Sequence, residues 1–406
     1  MRVLVMSTVF PNRNRPTYGV FVRERVRHVA ERCEAVVIAP VPWFPLNRLL
    51  RGAERATAPL VERDGAVTIY HPRVLCVPGV AKCLDGVLYF LSVLPFVAWL
   101  RRRFAFDLID AHFTYPDGLA GVLLGRVFGR PVLLTVRGSH DQRHAAYRLR
   151  RPQIRFALRA ADRVIAVSQS LASFAVDLGV SPDRVRVVPN GVDPDRFAPA
   201  DRAAARASLG LPADGRILLA VGNLVEGKGH HRILDLLPRL VAERPDVLYV
   251  AVGGAPTDAY RRRLEAAVGR HQLGGHVRIV GPRPHEEMPR WMAAADLFCL
   301  ATQAEGWCNA ITEALACGLP VVTTRVGGNA EIVRDGIDGL LVPFWDADAF
   351  RTAIGTALDR RWDRPQISAR ARGAGWKRTA DLVVREFDDV LAVDRPAAAG
   401  SCWSVR

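Results

Sequence analysis

Short runs of apolar, mostly β-branched residues alternate with segments of helical periodicity along the whole chain of 406 residues. Runs that are apolar throughout, separated by helices, are typical of parallel strands covered on both faces of a sheet. The alternation therefore predicts an α/β fold. The predicted strands cover residues 2–7, 35–39, 108–111, 132–136 and 164–167 in the first half, and 217–221, 247–252, 277–280, 297–300, 321–324 and 340–342 in the second.

The alternating pattern runs twice, with a break marked by the turn Asn190-Gly191 and a polar, Ala-rich stretch before residue 217. We therefore predict two Rossmann-like domains, over residues 1–195 and 196–375, with the break near 190–212. A long helical pattern over 364–391 ends the ordered chain. We expect a C-terminal helix over 376–392 to pack back toward the first domain, and residues 393–406 to be disordered. Parallel sheets bind ligands beyond the carboxyl ends of their strands, so the two sheets should face a common cleft.

The net charge of +15 is concentrated in the first half of the chain. Residues 1–200 hold 29 Lys and Arg against 16 Asp and Glu, whereas residues 201–406 hold 27 against 25. The excess predicts a negatively charged partner, such as an anionic membrane surface, a phosphorylated acceptor or nucleic acid. An arginine-rich proteome would explain the same excess without any such partner.

The sequence also bears on where the protein works. Its seven cysteines form no C-x-x-C pair and Met1 leads straight into a strand, which predicts reduced thiols and a cytoplasmic protein. The apolar run 86–100, followed by Arg101, Arg102 and Arg103, is shorter than the roughly 20 residues of a spanning helix. A buried helix is the favoured interpretation, and a helix lying in the membrane interface is the alternative.

The segment 305–318, EGWCNAITEALACG, follows an apolar strand and combines a loop, a helix start and two carboxylates. Asn309 is a good N-cap for a helix over 310–317, and Gly318 fits the C-cap. The start of that helix offers free N–H groups to a diphosphate, Glu313 could accept hydrogen bonds from a ribose, and Glu305 could reach a sugar. An ordinary capped helix with a solvated glutamate is the alternative interpretation.

This segment, continued by LPVVTTRVGGNAEIVRDGIDGLLVP, closely resembles the C-terminal signature of glycosyltransferase family 4 with its E-x7-E motif. The resemblance covers nearly the whole chain in family order, from ADRVIAVSQSL through VRVVPNGVDPDRF and AVGNLVEGKG to GWKRTADLVVREFDDVL. It implies a GT-B fold, a nucleoside diphosphate sugar as donor, retention of anomeric configuration, and no metal or other cofactor. The donor residues that it implies in this segment are Glu305, Gly306, Asn309, Ile311, Thr312 and Glu313.

The segment 222–229, GNLVEGKG, is one residue away from a phosphate-binding P-loop, because Gly229 replaces the Ser or Thr that would hold Mg²⁺. An NTPase is therefore a second interpretation of this segment. The family resemblance instead gives Lys228 the role of neutralising the donor diphosphate as charge builds on the leaving group. Asn223 stands where the family usually has Arg, which leaves Lys228 as the main cationic contact.

Several loops at predicted strand ends complete the candidate site. Gly19 resembles the family's small residue that lets the backbone approach the phosphates, although a plain loop glycine is favoured on sequence alone. Strand ends place His112 and Arg137 in the cleft, as a catalytic histidine and an anion-binding arginine, although a lone histidine at a strand end is more often structural. Residues 281–285 resemble the loop that holds the nucleotide base, with Arg283 and Pro284 at its centre. The D-x-D at Asp346 resembles a metal motif, but helix capping explains it.

The sequence therefore predicts transfer of a sugar from a nucleoside diphosphate to an acceptor hydroxyl, with Glu305, Lys228, His112 and Arg137 as the catalytic set. The resemblance extends to bacterial cell-surface polysaccharide glycosyltransferases. With the basic first domain, it suggests a lipid-linked or anionic glycan acceptor, peripheral contact with the inner membrane face, and no nucleic acid partner. The alternatives are a nucleotide-sugar epimerase, for which no acid–base set is evident, the NTPase, and a non-catalytic nucleotide-sugar binder.

Overall fold

The computed structural model describes residues 1–44, 58–77 and 81–392. These residues form two large, mainly parallel β-sheets covered by helices. The first half contains β1 Arg2–Met6, β2 Glu34–Ile38, β3 Val41–Trp43, β4 Val61–Asp64, β5 Val67–Tyr70, β6 Arg73–Leu75, β7 Leu108–His112, β8 Val132–Val136, β9 Arg163–Ala166 and β10 Val185–Val187. Eight of them form one sheet in the order β10-β9-β8-β7-β1-β2-β5-β4, in which only β4 and β5 pair antiparallel, and β3 pairs with β6 separately.

The second half contains β11 Arg216–Val221, β12 Val247–Val252, β13 Val277–Gly281, β14 Leu297–Leu300, β15 Val321–Thr324 and β16 Gly339–Val342. These six strands form a wholly parallel sheet in the order β13-β12-β11-β14-β15-β16. All eleven predicted strands are present within a residue or two, so the predicted α/β architecture is confirmed. The prediction missed β3 to β6 and β10, which are short or lie at sheet edges. The segment VERD of β4, for example, carries polar residues that give no apolar run.

Helices cover both faces of each sheet. In the first half they are α1 Val20–Val29, α2 Asp85–Arg101, α3 Leu119–Phe128, α4 Ser139–Ala145, α5 Arg151–Ala160 and α6 Gln169–Asp177. They continue as α7 Arg202–Leu209, α8 His230–Glu243, α9 Asp258–Arg270, α10 Met288–Ala294, α11 Asn309–Ala316, α12 Asn329–Ile332, α13 Ala347–Asp359, α14 Arg364–Arg372 and α15 Trp376–Ala392. Short 3-10 turns lie at Pro182–Arg184, Glu226–Lys228 and His285–Glu287.

The helical pattern over 364–391 consists of two helices, and the second, α15, covers the range 376–392 expected for the C-terminal helix. Helix α14 ends at Arg372 and α15 begins at Trp376 because the chain passes beside Val192 between them. The N–H of Val192 donates to Ala374 (3.1 Å) and the N–H of Trp376 donates to Val192 (3.2 Å). Gly191 permits this approach, since a Cβ there would lie 2.4 Å from the Trp376 nitrogen. The chain therefore crosses between the two sheets twice at one place.

Helix α15 packs against the first sheet's helix α1. Its residues Ala380, Val383 and Phe387 share a buried cluster with Val22 and Val26 of α1. The predicted disordered tail, residues 393–406, lies outside the described residues.

Helix α2 is not the buried helix that its composition favoured. One face, including Tyr89, Val93 and Val97, is buried, but the outer face is apolar as well and is exposed. On that face Leu91 is 55% and Trp99 is 41% exposed. Within the described ranges, no helix has the length and apolar character needed to cross a membrane.

Candidate active site

The carboxyl ends of β1 and β11 face each other across a cavity of about 390 Å³. Residues from both halves of the chain line it. They include Gly19, Phe21 and Glu24 from the first half, and Gly222, Asn223, Arg283, His285, Asn309 and Glu313 from the second. Five predicted donor residues therefore meet at one cavity, namely Gly19, Asn223, Arg283, Asn309 and Glu313. Pro284, Gly306, Ile311 and Thr312 are outside its lining.

Lys228 and Glu305 form an ion pair beside this cavity. The Lys228 Nζ atom lies 2.5 Å from Glu305 Oε1, and the Thr302 hydroxyl donates to the same oxygen over 3.0 Å. Burial lowers the pKa of Lys228, but the charge and hydrogen bond of Glu305 outweigh burial and raise it above its ordinary value. The lysine is therefore a fixed positive charge. The Lys228 side chain lies next to the cavity wall, because Gly222 lines the cavity and a Cβ on Gly222 would be 3.7 Å from the lysine side chain.

The loop that carries Lys228 depends on glycine at its end. Gly229 has a φ of +77°, and a Cβ there would lie 1.9 Å from the Ala301 carbonyl oxygen. Only glycine tolerates both the backbone conformation and that approach. The Thr302 hydroxyl also donates to the Gly227 carbonyl over 3.0 Å, which ties this loop to the one that carries Glu305. The two charged residues are thus brought together by backbone packing between neighbouring loops.

Helix α11 presents different residues on different faces. Asn309 and Glu313, four residues apart, both line the cavity, whereas Ile311 is completely buried in the core. Asn309 is the first residue of the helix and not its cap. No side chain caps this helix, and the Asn309 amide oxygen accepts a hydrogen bond from Asn190 over 3.0 Å. The helix start still offers its free N–H groups at the cavity edge.

Thr312 lies on the other side of α11, which corrects its assignment to the donor cavity. It lines a separate cavity of about 220 Å³ between α11 and the place where the chain crosses between sheets. Its backbone N–H is also engaged, because it donates to the Cys308 carbonyl over 3.3 Å.

Glu313 is already engaged by His285, a residue that the sequence interpretation did not select. His285 Nε2 lies 2.8 Å from Glu313 Oε1, and a guanidinium nitrogen of Arg196 lies 3.2 Å from His285 Nδ1. Burial lowers the pKa of His285, but the hydrogen bond and charge of Glu313 outweigh burial and raise it. The two residues are 28 positions apart, so no local motif could have paired them.

The loop around Arg283 forms the outer wall of the cavity. Arg283 lines the cavity. Its guanidinium donates to the Pro282 carbonyl over 3.3 Å and forms an ion pair with Glu287 at 3.9 Å. Pro284 is exposed and outside the lining.

Gly19 is required by the backbone and is more than a plain loop glycine. It precedes α1 with a φ of +81°, and a Cβ there would lie 2.3 Å from the Val9 carbonyl oxygen. The start of α1 therefore faces the cavity opposite the start of α11.

His112 and Arg137 do not present free side chains to the cleft, contrary to the prediction. His112 is completely buried and Arg137 is 5% exposed. Arg137 donates to His112 Nδ1 (3.0 Å from Nε) and to Asn190 Oδ1 (2.9 Å), while His112 Nε2 lies 3.1 Å from Asp110. Arg25 donates to Asp110 from α1 over 3.0 Å. Both residues do stand at the carboxyl ends of strands, as predicted, but their side chains are buried and do not reach the surface of the cleft.

The protonation state of His112 follows from these contacts. Since a guanidinium can only donate, Nδ1 of His112 accepts and the single ring proton is on Nε2, facing Asp110. Burial, helped by the positive charge of Arg137, lowers the pKa of His112 to about 3 despite the charge of Asp110. With both ring nitrogens occupied, His112 acts as a neutral structural residue in this arrangement.

The two halves of the chain also touch behind the cavity. Gly306 is buried against the first half, because a Cβ on it would lie 2.4 Å from the Gly138 Cα atom and 2.6 Å from the Arg137 carbonyl oxygen. The carboxylate of Glu331 accepts the backbone N–H of Gln169 (2.8 Å) at the start of α6. Gly306 therefore serves the contact between the sheets.

The chain is similar to known proteins over most of its length. The family described as Glycosyl transferases group 1 matches residues 201–374, and Glycosyltransferase Family 4 matches residues 18–196. A relative from Catenulispora acidiphila, D-inositol 3-phosphate glycosyltransferase 2, is 35% identical over 84% of this chain and 86% of its own. A D-inositol 3-phosphate glycosyltransferase from Geodermatophilus obscurus is 30% identical over 94% of this chain and 86% of its own.

Solved structures share the fold. Sucrose-phosphate synthase from Thermosynechococcus elongatus superposes with a TM-score of 0.79 at 23% identity, over 97% of this chain and all of that one. HepE from Anabaena in complex with UDP-glucose superposes with a TM-score of 0.75 at 21% identity, over 96% of this chain and all of that one. The two parallel sheets thus have the GT-B arrangement, and the chain belongs to glycosyltransferase family 4.

Proposed function

We propose that the protein transfers a sugar from a nucleoside diphosphate to an acceptor hydroxyl with retention of anomeric configuration. The observation that carries the proposal is the Lys228–Glu305 pair beside the free start of α11, with Glu313 on the wall of the same cavity. A fixed cation and helix N–H groups suit a diphosphate, and a carboxylate suits a ribose diol. The solved structure of HepE with UDP-glucose, at 21% identity, supports a donor of this type.

In this proposal each residue has one task. Lys228 and the N–H groups at the start of α11, before Ile311, bind the diphosphate and stabilise its charge as it leaves the sugar. The N–H of Ile311 itself donates to the Cys308 carbonyl over 3.0 Å. Glu305 holds the sugar, and Glu313 holds the ribose. The bond from the anomeric carbon to the phosphate oxygen breaks while the acceptor oxygen attacks from the same face. The leaving phosphate takes the acceptor proton. We propose that no metal takes part, so EDTA should leave the rate unchanged.

The acceptor that we propose is anionic and lipid-linked, at the cytoplasmic face of a membrane. Support comes from the exposed apolar face of α2 with Trp99, and from Arg103, whose guanidinium lies 4.2 Å from the Trp99 ring centroid. Leu149 lies near the start of α2, because the neighbouring Arg150 donates to the Lys82 carbonyl there. Leu149 is 70% exposed and adds an apolar side chain to this surface. Apolar side chains flanked by arginines suit an anionic bilayer surface.

A second acceptor is suggested by the relatives, which carry the name D-inositol 3-phosphate glycosyltransferase. Inositol 3-phosphate would also be drawn by the basic first half, and it needs no membrane.

The decisive experiment has two stages. Thermal-shift measurements with UDP-, GDP-, ADP- and TDP-sugars identify the donor, because a ligand that binds the folded state stabilises it. The selected donor is then incubated with inositol 3-phosphate or with a lipid extract, and NMR of the product gives its anomeric configuration. Inversion would contradict the retaining mechanism, and hydrolysis of ATP or GTP with Mg²⁺ without transfer would favour the NTPase.

Vesicle flotation tests the membrane surface. The wild-type protein should float with vesicles containing anionic lipid at low salt, and a Leu91→Glu, Trp99→Glu variant should not. Equal flotation of both proteins, or of neither, would contradict this use of α2.

A further inference from the structure

His285 connects the interdomain segment to the carboxylate that we assign to the ribose. On one side Arg196 donates to Nδ1 over 3.2 Å, and on the other Nε2 lies 2.8 Å from Glu313 Oε1. The Phe197 ring lies 5.4 Å from the His285 ring, centroid to centroid. Both partners are well shielded, since the side chains of His285 and Glu313 are 20% and 14% exposed. His285 therefore has a fixed position on the cavity wall.

The hydrogen atoms of this chain of contacts can be assigned from its chemistry. A guanidinium has no acceptor, so Nδ1 of His285 accepts from Arg196 when the ring is neutral, and Nε2 carries a proton in both the neutral and the protonated ring. That proton is donated to Glu313. Arg196 is itself restrained by Asp193, whose carboxylate lies 3.6 Å from Arg196 Nε and accepts two backbone N–H groups of the same turn.

The consequence concerns the freedom of Glu313. A glutamate side chain in a cavity wall can adopt several rotamers, and a ligand that needs one of them must pay the cost of ordering it. A hydrogen bond at one carboxylate oxygen selects the rotamer before the ligand arrives. The second oxygen and the remaining lone pairs can still accept hydrogen bonds, because each carboxylate oxygen has two acceptor sites.

We propose that His285, held by Arg196, is a positioning residue that orders the Glu313 carboxylate for the ribose hydroxyls of the nucleoside diphosphate. This proposal rests on the proposed function, which assigns Glu313 to the ribose. His285 does not touch the reacting atoms. It acts on the affinity for ligands that carry the ribose diol, and hence on the donor KM and not on kcat.

The test compares UDP with 2′-deoxy-UDP by calorimetry, with the corresponding pair for another base if the donor screen selects one. His285→Leu should weaken UDP binding about tenfold, the cost of ordering one side chain. It should leave 2′-deoxy-UDP binding unchanged within about twofold. His285→Gln should bind UDP like the wild type, because an amide can donate to Glu313 and accept from Arg196. His271→Leu, on an exposed histidine at the end of α9, is the matched control.

A second variant acts on the same contact from a distance. Arg196→Met leaves His285 in place but removes its anchor, so we expect UDP binding to weaken about threefold with the same dependence on the 2′-hydroxyl. It also carries the test if His285→Leu does not fold, which circular dichroism would show. In steady-state assays the donor KM should rise in His285→Leu while kcat stays within about twofold of the wild type.

Several outcomes would overturn the proposal. They are equal losses for UDP and 2′-deoxy-UDP in His285→Leu, unchanged UDP binding in that variant, or a Gln variant as weak as the Leu variant. Glu313→Ala separates the two levels of inference. If it leaves the preference for UDP over 2′-deoxy-UDP intact, the ribose assignment of the proposed function fails. If it abolishes the preference while His285→Leu retains it, only the role of His285 fails.

Discussion

The two walls of the cleft use charged residues in opposite ways. In the second half, Lys228, Glu313 and His285 stand at or beside the cavity with side chains that are 26%, 14% and 20% exposed. In the first half, Arg25, Asp110, His112 and Arg137 are at most 5% exposed, and each has fixed partners. His112 and Arg137 stand at the ends of β7 and β8, much as Lys228 and His285 follow β11 and β13. The difference teaches that a motif at a strand end can either meet a ligand or hold the sheet edge together.

The largest expected effect comes from removing the charge at the cavity. Lys228→Met should lower kcat at least about 1000-fold, because the leaving diphosphate loses its fixed cation. The free energy of unfolding should fall by about 1 to 3 kcal/mol, because the Glu305 side chain, which is only 10% exposed, loses its counter-ion. Steady-state kinetics and urea denaturation measure both, with Lys377→Met on the exposed face of α15 as control. Near-normal activity would place the donor elsewhere.

The same substitution in the other wall should have the reverse effect. Arg137→Met deprives His112 Nδ1 and Asn190 Oδ1 of their donor, so we expect unfolding to become easier by about 3 kcal/mol. The rate per folded molecule should stay within about tenfold of the wild type. A loss of activity as large as that of Lys228→Met, without loss of stability, would remove the distinction between the walls and restore Arg137 as a catalytic residue.

The buried histidine should make the stability of the protein sensitive to acid. The pKa of His112 falls from the ordinary value of 6.5 to about 3 on folding, so the unfolded chain binds a proton that the folded chain excludes. Stability is therefore full above pH 6.5 and is lost as the pH falls from there towards 3.

When the pH falls from 7 to 5, the free energy of unfolding of the wild type should decrease by about 2 kcal/mol more than that of His112→Gln. The pKa of Asp110 is held at about 2, because Arg25 and His112 outweigh its burial, so this carboxylate contributes only below that window. Urea denaturation at the two pH values measures the difference, and His271→Gln should keep the wild-type slope. Equal slopes for all three proteins would show that His112 is accessible to protons.

The smallest effect concerns a carboxylate outside both walls. Asp346 accepts the N–H of Ala349 over 2.9 Å and caps α13, as the sequence predicted for this part of the D-x-D. Asp346→Ala should cost about 1 kcal/mol of stability. Transfer activity should stay the same with and without EDTA. A loss of activity that Mn²⁺ restores would instead identify a metal site.

The parts of the molecule that could be predicted are those recorded locally in the sequence. Most central strands are apolar runs, and Lys228, Glu305 and Glu313 lie in compact motifs whose spacing survives folding. The depth of His112 could not be predicted, because it is set by Arg25 and Arg137, which approach from other elements. The contact of Asn190 with Asn309 spans 119 positions and leaves no local trace. The start of α15 had a local signal, the glycines Gly373 and Gly375 just before it.

The double crossing at Gly191 and Gly375 has a consequence for engineering. Helix α15 belongs structurally with the first sheet, where Arg32 reaches Asp381 and Arg163 reaches Glu386, although it is the last helix described. The donor half is thus inserted between residues 192 and 374, and the chain segments before and after it both belong to the first domain. A chimera that exchanges donor specificity with a relative should replace this insert and keep the host's own final helix. A simple exchange of C-terminal halves would pair α1 with a foreign helix and lose the packing of Phe387.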